Sequence, residues 1–132
     1  MGCDIHGAIE KRVGNKWVMV ERLQYGVHEA RKRSYRRFAA LAGVRGDGPT
    51  PNGLPDDMSD SAALHFEEWK EDAHSCGHAP LADAAQIFLS ADDASTDTHP
   101  DNFARQCPVA HYFEIDEEAY PGEYRLVFWF DN

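Results

Sequence analysis

Residues 3–20 read CDIHGAIEKRVGNKWVMV, and this stretch decides the fold. Over 3–13, Cys3, Ile5, Gly7, Ile9 and Lys11 point one way, and Asp4, His6, Ala8, Glu10 and Arg12 point the other. A period of two over this length predicts a half-buried strand. Gly14-Asn15 supplies a two-residue turn that tolerates positive φ. The run 16–20, KWVMV, then returns as the second strand of a β-hairpin.

The other end of the chain has the same character. Residues 123–132, EYRLVFWFDN, are rich in aromatic and branched side chains, as a central strand is. Tyr124, Leu126, Phe128 and Phe130 alternate with Arg125, Val127, Trp129 and Asp131. Two terminal strands with buried faces are expected to pair. Between them the period changes to that of helices. In 29–44, Tyr35, Phe38, Leu41 and Ala42 form one stripe, and Gly43 is a natural stop. Ser59 or Ser61 can cap a second helix whose Ala62, Phe66, Trp69 and Ala73 share a face. Pro80 suits the first turn of a third, with Leu81, Ala84, Ala85, Phe88 and Leu89 buried.

The stretch 43–59 reads as a long Gly/Pro/Asp loop, 73–80 (AHSCGHAP) as an interruption between helices, and 91–102 as an acidic loop. Residues 103–107 suggest one helical turn, and 111–115 a further strand. The expected architecture is a single α+β domain over 1–132. In it a small antiparallel sheet, made by the N-terminal hairpin and the C-terminal strand, is covered on one face by about three helices.

Charge divides the chain. Residues 1–45 hold ten Lys/Arg against four acids, net +6; residues 46–132 hold three against nineteen, net −16. The basic part suits a phosphate-bearing small molecule, and the acidic part repels nucleic acid or imitates it, so direct nucleic-acid binding is not expected. Such charge also simply keeps a protein in solution. No apolar run approaches the ~20 residues of a membrane span. The start has no secretory pattern, and Cys3, Cys76 and Cys107 have no disulfide spacing, which together predict a cytoplasmic protein.

Three constellations can carry chemistry. Asp4 and His6 project from one face of the first strand and can chelate a cation, or the Asp can orient the ring. Asp-x-His also opens the metal motif of calcineurin-like metallophosphoesterases, but the later Gly-Asn-His of those enzymes is absent. His74, Cys76 and His78 crowd three soft or borderline ligands into five residues, half of a zinc site that Asp4 and His6 can complete. Arg33, Arg37 and Arg45 are candidate phosphate ligands, Arg33 and Arg37 being one helical turn apart. Each group also has a plain reading: a polar strand end, a hydrophilic loop, a basic surface.

Taken as a set, MGCDIH, RSYRRFAALAGVRGDGP, NGLPDD, AHS and RLVFWFDN resemble a family of small proteins encoded by tailed phages and prophages. The resemblance spans nearly the whole chain and is most specific at its two ends. It implies one domain and a phage context, and supplies no reaction. The family pattern in the middle segment is His-Ser-His-Ser and an aromatic residue. Here Cys76 stands for the second His, and His78 takes the aromatic position. The match carries over Asp4, His6, Arg33, Tyr35, Phe38, Arg45 and His74 as site or scaffold positions.

By analogy with small phage proteins, the expected function is a host-defence antagonist in the host cytoplasm, for example an anti-CRISPR-like inhibitor. It would dock on a host protein or complex through Asp56, Asp57, Asp60, Glu67, Glu68, Glu71, Asp72, Asp92, Asp93, Asp97 and Asp101. The alternative is a metal-dependent phosphoester hydrolase, or a nucleotide-binding protein, using the Asp/His/Cys group with Arg33 and Arg45. Catalysis is left open, and a purely structural zinc is a third reading.

Overall fold

The hairpin forms where the alternation places it. β1 is Ile5–Val13 and β2 is Lys16–Arg22, joined through Gly14 at φ +63°. A computed structural model describes residues 2–24, 27–96, 113 and 123–131. β4, Tyr124–Phe130, lies antiparallel to β1, with Ile5 opposite Phe130, His6 opposite Trp129 and Glu10 opposite Arg125. With β3 at His74–Pro80, the order of the four-stranded sheet is β2-β1-β4-β3, so the two chain ends supply its centre. The backbones of β1 and β4 approach closely at Gly7, where a Cβ would stand 2.3 Å from the Val127 carbonyl oxygen. Only glycine fits there.

All seven residues of β4 are buried, as are the first six of β1. Both faces of the sheet are therefore covered, which corrects the expectation of helices on one face. On one side Ile5, Ile9, Leu126, Phe128 and Phe130 meet α1 (Tyr35–Ala42) and α3 (Leu81–Thr96) through Phe38, Leu41, Ala85 and Phe88. On the other, Trp129 meets His65 and Phe66 of α2 (Asp60–Glu67), and Trp69 just beyond α2 stacks on His6. Large apolar or aromatic side chains on both faces of β4 leave neither face fit for water.

The helices begin and end for local reasons. The Ser34 side chain caps α1 by accepting from the Arg37 amide, and Gly43 ends it in the left-handed region at φ +69°. The expected helix over 29–44 is thus shorter. Glu29–Arg31 forms a 3-10 turn, and Lys32 and Ser34 are extended. Ser59 caps α2 by accepting from Ala62. The segment read as an interruption is an edge strand, β3 (His74–Pro80), paired with β4. Its polar residues, Gly77 and Pro80 suppress the strand signal, and pairing to an already buried strand overrides it. Among the described residues, no helix is long and apolar enough to cross a membrane. The turn expected over 103–107, and the strand over 111–115 apart from the buried Phe113, lie outside the described residues.

Candidate functional site at one end of the sheet

The opening residues are held from several directions. Arg33, just before the α1 cap, grips Asp4 with two hydrogen bonds, Nε to Oδ1 at 3.1 Å and Nη2 to Oδ2 at 2.9 Å. This fork geometry is the strong form of an Arg–carboxylate pair. Its guanidinium also occupies the space a side chain at residue 2 would need, since a Cβ on Gly2 would lie 2.0 Å from Nη1. The Cys3 amide donates to the Tyr35 hydroxyl at 3.3 Å, and Arg45 sits 4.7 Å from the centre of the Tyr35 ring, a cation–π distance. Arg31 Nη1 donates to the Ile5 carbonyl.

Asp131, directly after β4, ties this end together. Its Oδ1 accepts from the Asp4 amide at 2.9 Å, its Oδ2 accepts from His6 Nε2 at 2.9 Å, and its amide donates to the Asp4 carbonyl at 3.1 Å. His74 Nε2 donates to the Asp131 carbonyl at 3.1 Å. The opening motif and the middle segment therefore do meet, through Asp131.

The titrations follow from this packing. Burial pushes the His6 imidazole below its ordinary range, and the Asp131 hydrogen bond opposes this only in part. His6 Nε2 bonds Asp131 and Trp69 covers one face of the ring at 3.9 Å. Burial raises the Cys3 thiol, Asp131 adds to the rise, and Arg45 and Arg33 pull it back. Burial alone raises Cys76. Neither thiol is an activated thiolate.

The metal-ligand set expected from Asp4, His6, His74, Cys76 and His78 does not assemble as predicted. Asp4 is taken by Arg33, and His6 by Asp131. His78 lies further along β3, opposite Val127, where its Nδ1 donates to the Gly53 carbonyl at 2.9 Å and its amide donates to Asn52 at 2.9 Å. The Cys76 carbonyl accepts from the Gly53 amide. Among the described residues, no group of three or more His, Cys, Asp or Glu side chains is placed to hold a metal ion. His74 pairs with Phe130 and His78 with Val127, so the two histidines sit at different levels of the sheet.

The arginines also separate. Arg37 is buried and bonded to Glu29 through the main-chain carbonyl at 3.0 Å and the carboxylate at 3.5 Å, so it braces the 3-10 turn rather than joining Arg33. Arg33 and Arg45 are exposed at the sheet end. Of the acidic residues, Asp57 pairs with Arg125, Glu67 with Lys70, and Glu68 with Arg22 and His65. Asp56, Asp60, Glu71 and Asp72 are exposed and make no ion pair among the described residues. Asp92 and Asp93 lie on α3, and Asp97 and Asp101 lie outside the described residues.

Sequence reasoning missed Asp131. Antiparallel pairing of the two terminal strands in register brings Asp131 to Asp4, and that was the available signal. Comparison with protein-family models, with curated proteins and with solved structures finds no match to this chain.

Proposed function

We propose that this protein binds a phosphate-bearing small molecule, of the nucleotide class, at the Asp4–Arg33–Arg45 end of the sheet. The observation that carries the reading is the pre-orientation of two exposed guanidiniums. Asp4 holds Arg33 through a two-bond fork, and the Tyr35 ring holds Arg45. A guanidinium already ordered loses less freedom when an anion binds, and its planar donors match phosphate oxygens. Arg45 is itself in the left-handed region, at φ +56°, a conformation non-glycine residues seldom hold without a reason elsewhere in the site.

The test is titration with inorganic phosphate and AMP, followed by calorimetry and by amide shifts at residues 2–6, 33 and 45. Arg45→Ala should weaken phosphate binding by about 10–100-fold, the range of one lost charge-assisted contact of ~1.5–3 kcal/mol, with an unchanged melting temperature. Saturating phosphate and AMP without any shift at these amides would overturn the reading.

A second reading has its own support in the acidic face. Asp56, Glu71 and Asp72 flank α2, Asp60 begins it, and all four stay exposed without ion pairs among the described residues. They suit docking on a basic host protein, as a phage-type defence antagonist would need. Charge reversal of these four should abolish capture of the host protein; capture that survives reversal rejects this reading.

A further inference from the structure

β3 carries a second feature at the same end of the sheet. Ser75 Oγ lies 3.1 Å from His74 Nδ1. On a regular strand neighbouring side chains point to opposite faces, so two consecutive residues do not touch in this way. Here the pairing with β4 breaks between His74 and Gly77, and Ser75 adopts φ +53°. The break turns the serine back onto the imidazole. Such bulges re-aim side chains, and they recur beside active sites. Among the described non-glycine residues, Ser75 and Arg45 are the pair with positive φ, and Ser75 adjoins His74, which reaches Asp131 at the end of β4.

The hydrogen bonds fix the ring's roles. His74 Nε2 faces the Asp131 main-chain carbonyl at 3.1 Å, and a carbonyl oxygen only accepts. Nε2 therefore carries the proton, and in the neutral ring Nδ1 keeps its lone pair for the Ser75 hydroxyl. Phe130 lies nearly parallel to the ring, 6.3 Å between centroids and 26° between planes, and steadies it. The order is hydroxyl, imidazole, fixed acceptor. It is the arrangement by which a weak nucleophile is activated, recognised by geometry rather than by position in the chain. His74 is exposed and Ser75 half-buried, so a substrate can reach both.

We infer that Ser75 is a nucleophile toward a phosphoester, with His74 as its general base and the Asp131 carbonyl as the positioning group. This rests on the reading of the sheet end as a phosphate site. Ser75 Oγ attacks phosphorus, the Oγ–P bond forms, and the bond from phosphorus to the leaving alkoxide breaks. His74 Nδ1 takes the Ser75 proton and passes it to the leaving oxygen. Water then attacks phosphorus, gives its proton to Nδ1, and the Oγ–P bond breaks. The proton returns to Oγ, leaving phosphate product and free serine.

The test uses diisopropyl fluorophosphate, an uncharged probe that needs no arginine to bind. Fluoride leaves as the Oγ–P bond forms. The wild-type chain should gain one adduct, located on Ser75 by peptide mass spectrometry. Ser75→Ala should gain none, and His74→Gln should label at least about 100-fold more slowly. Gln is chosen because its amide nitrogen reaches as far as Nε2 and can still donate to the Asp131 carbonyl while offering no base, and equal melting temperatures would show an intact fold. No adduct on Ser75, or equal labelling rates in wild type and His74→Gln, overturns the proposal. Phosphate titration alongside separates the two ideas. Binding without labelling leaves the phosphate site and removes the nucleophile. Labelling without binding keeps the nucleophile and removes the phosphate site.

Discussion

The sheet carries an arginine–carboxylate cluster at each end, and the two are built differently. At the far end Arg125 is 7% exposed and Glu10 is fully buried. Arg125 Nε donates to Glu10 Oε1 at 2.7 Å, Nη1 donates to Asp57 at 2.9 Å, and the guanidinium packs 4.1 Å from the centre of the Trp17 ring. The second Glu10 oxygen accepts from the Ser59 amide at 2.7 Å, so β1, β4 and the start of α2 are locked by one carboxylate. The Arg125 hydrogen bond also holds the Asp57 carboxyl below its usual range. At the near end the Arg33 side chain is 44% exposed, Arg45 lies on the surface, and two residues have positive φ. The same pair of residue types is buried and fully bonded in Glu10–Arg125, and faces water in Asp4–Arg33, where we propose that it takes part in binding.

That contrast can be broken by measurement. The largest effect is expected at the far end. Glu10→Ala leaves a buried guanidinium without its main counter-charge, and should destabilise the fold by about 3–5 kcal/mol in urea unfolding. A loss under ~1 kcal/mol would show that water reaches Arg125 and that the two ends are alike.

An intermediate effect is expected from pH. Burial lowers the pKa of both His65 and His6, with Glu68 and Asp131 respectively opposing. The unfolded chain then takes up protons first as pH falls. Stability is full above the unfolded value near 6.5 and is lost as pH drops from there through the folded values, by at most ~1.4 kcal/mol per pH unit for each ring. Unfolding at pH 7.5, 6.5 and 5.5 should show this decline, and His65→Leu should make it shallower. Parallel declines in the two proteins would mean that His65 is solvated.

The smallest stability effect belongs to the near end. Asp4→Asn weakens a partly exposed pair and should cost less than about 1 kcal/mol. It should nevertheless disturb phosphate binding, because Arg33 loses the fork that aims it. A loss as large as that of Glu10→Ala would make the Asp4–Arg33 pair a structural clasp and remove the comparison.

Much of this was legible beforehand. The alternation in 3–13, the Gly14 turn, the apolar run of β4, the Gly43 stop and the Ser59 cap are local signals, and each appears where local physics puts it. The candidate site was legible only as scattered residues. Asp4, His6, Arg33, Arg45 and His74 were identified, but their partners were not. Arg37 was misplaced because a cap at Ser34 starts α1 after Arg33, so the two arginines do not share a helical turn.

By itself the sequence determined the elements that depend on neighbours a few residues apart, together with the charge of each half. Tertiary structure decided the rest. It covered both faces of the sheet, made an edge strand of His74–Pro80, and brought Asp131 across 127 residues to Asp4. It also separated His78 from His6 and set Ser75 against His74. The reason is register. Which side chains meet across a sheet depends on how distant strands align, and a one-residue slip would have turned every one of them to the other face.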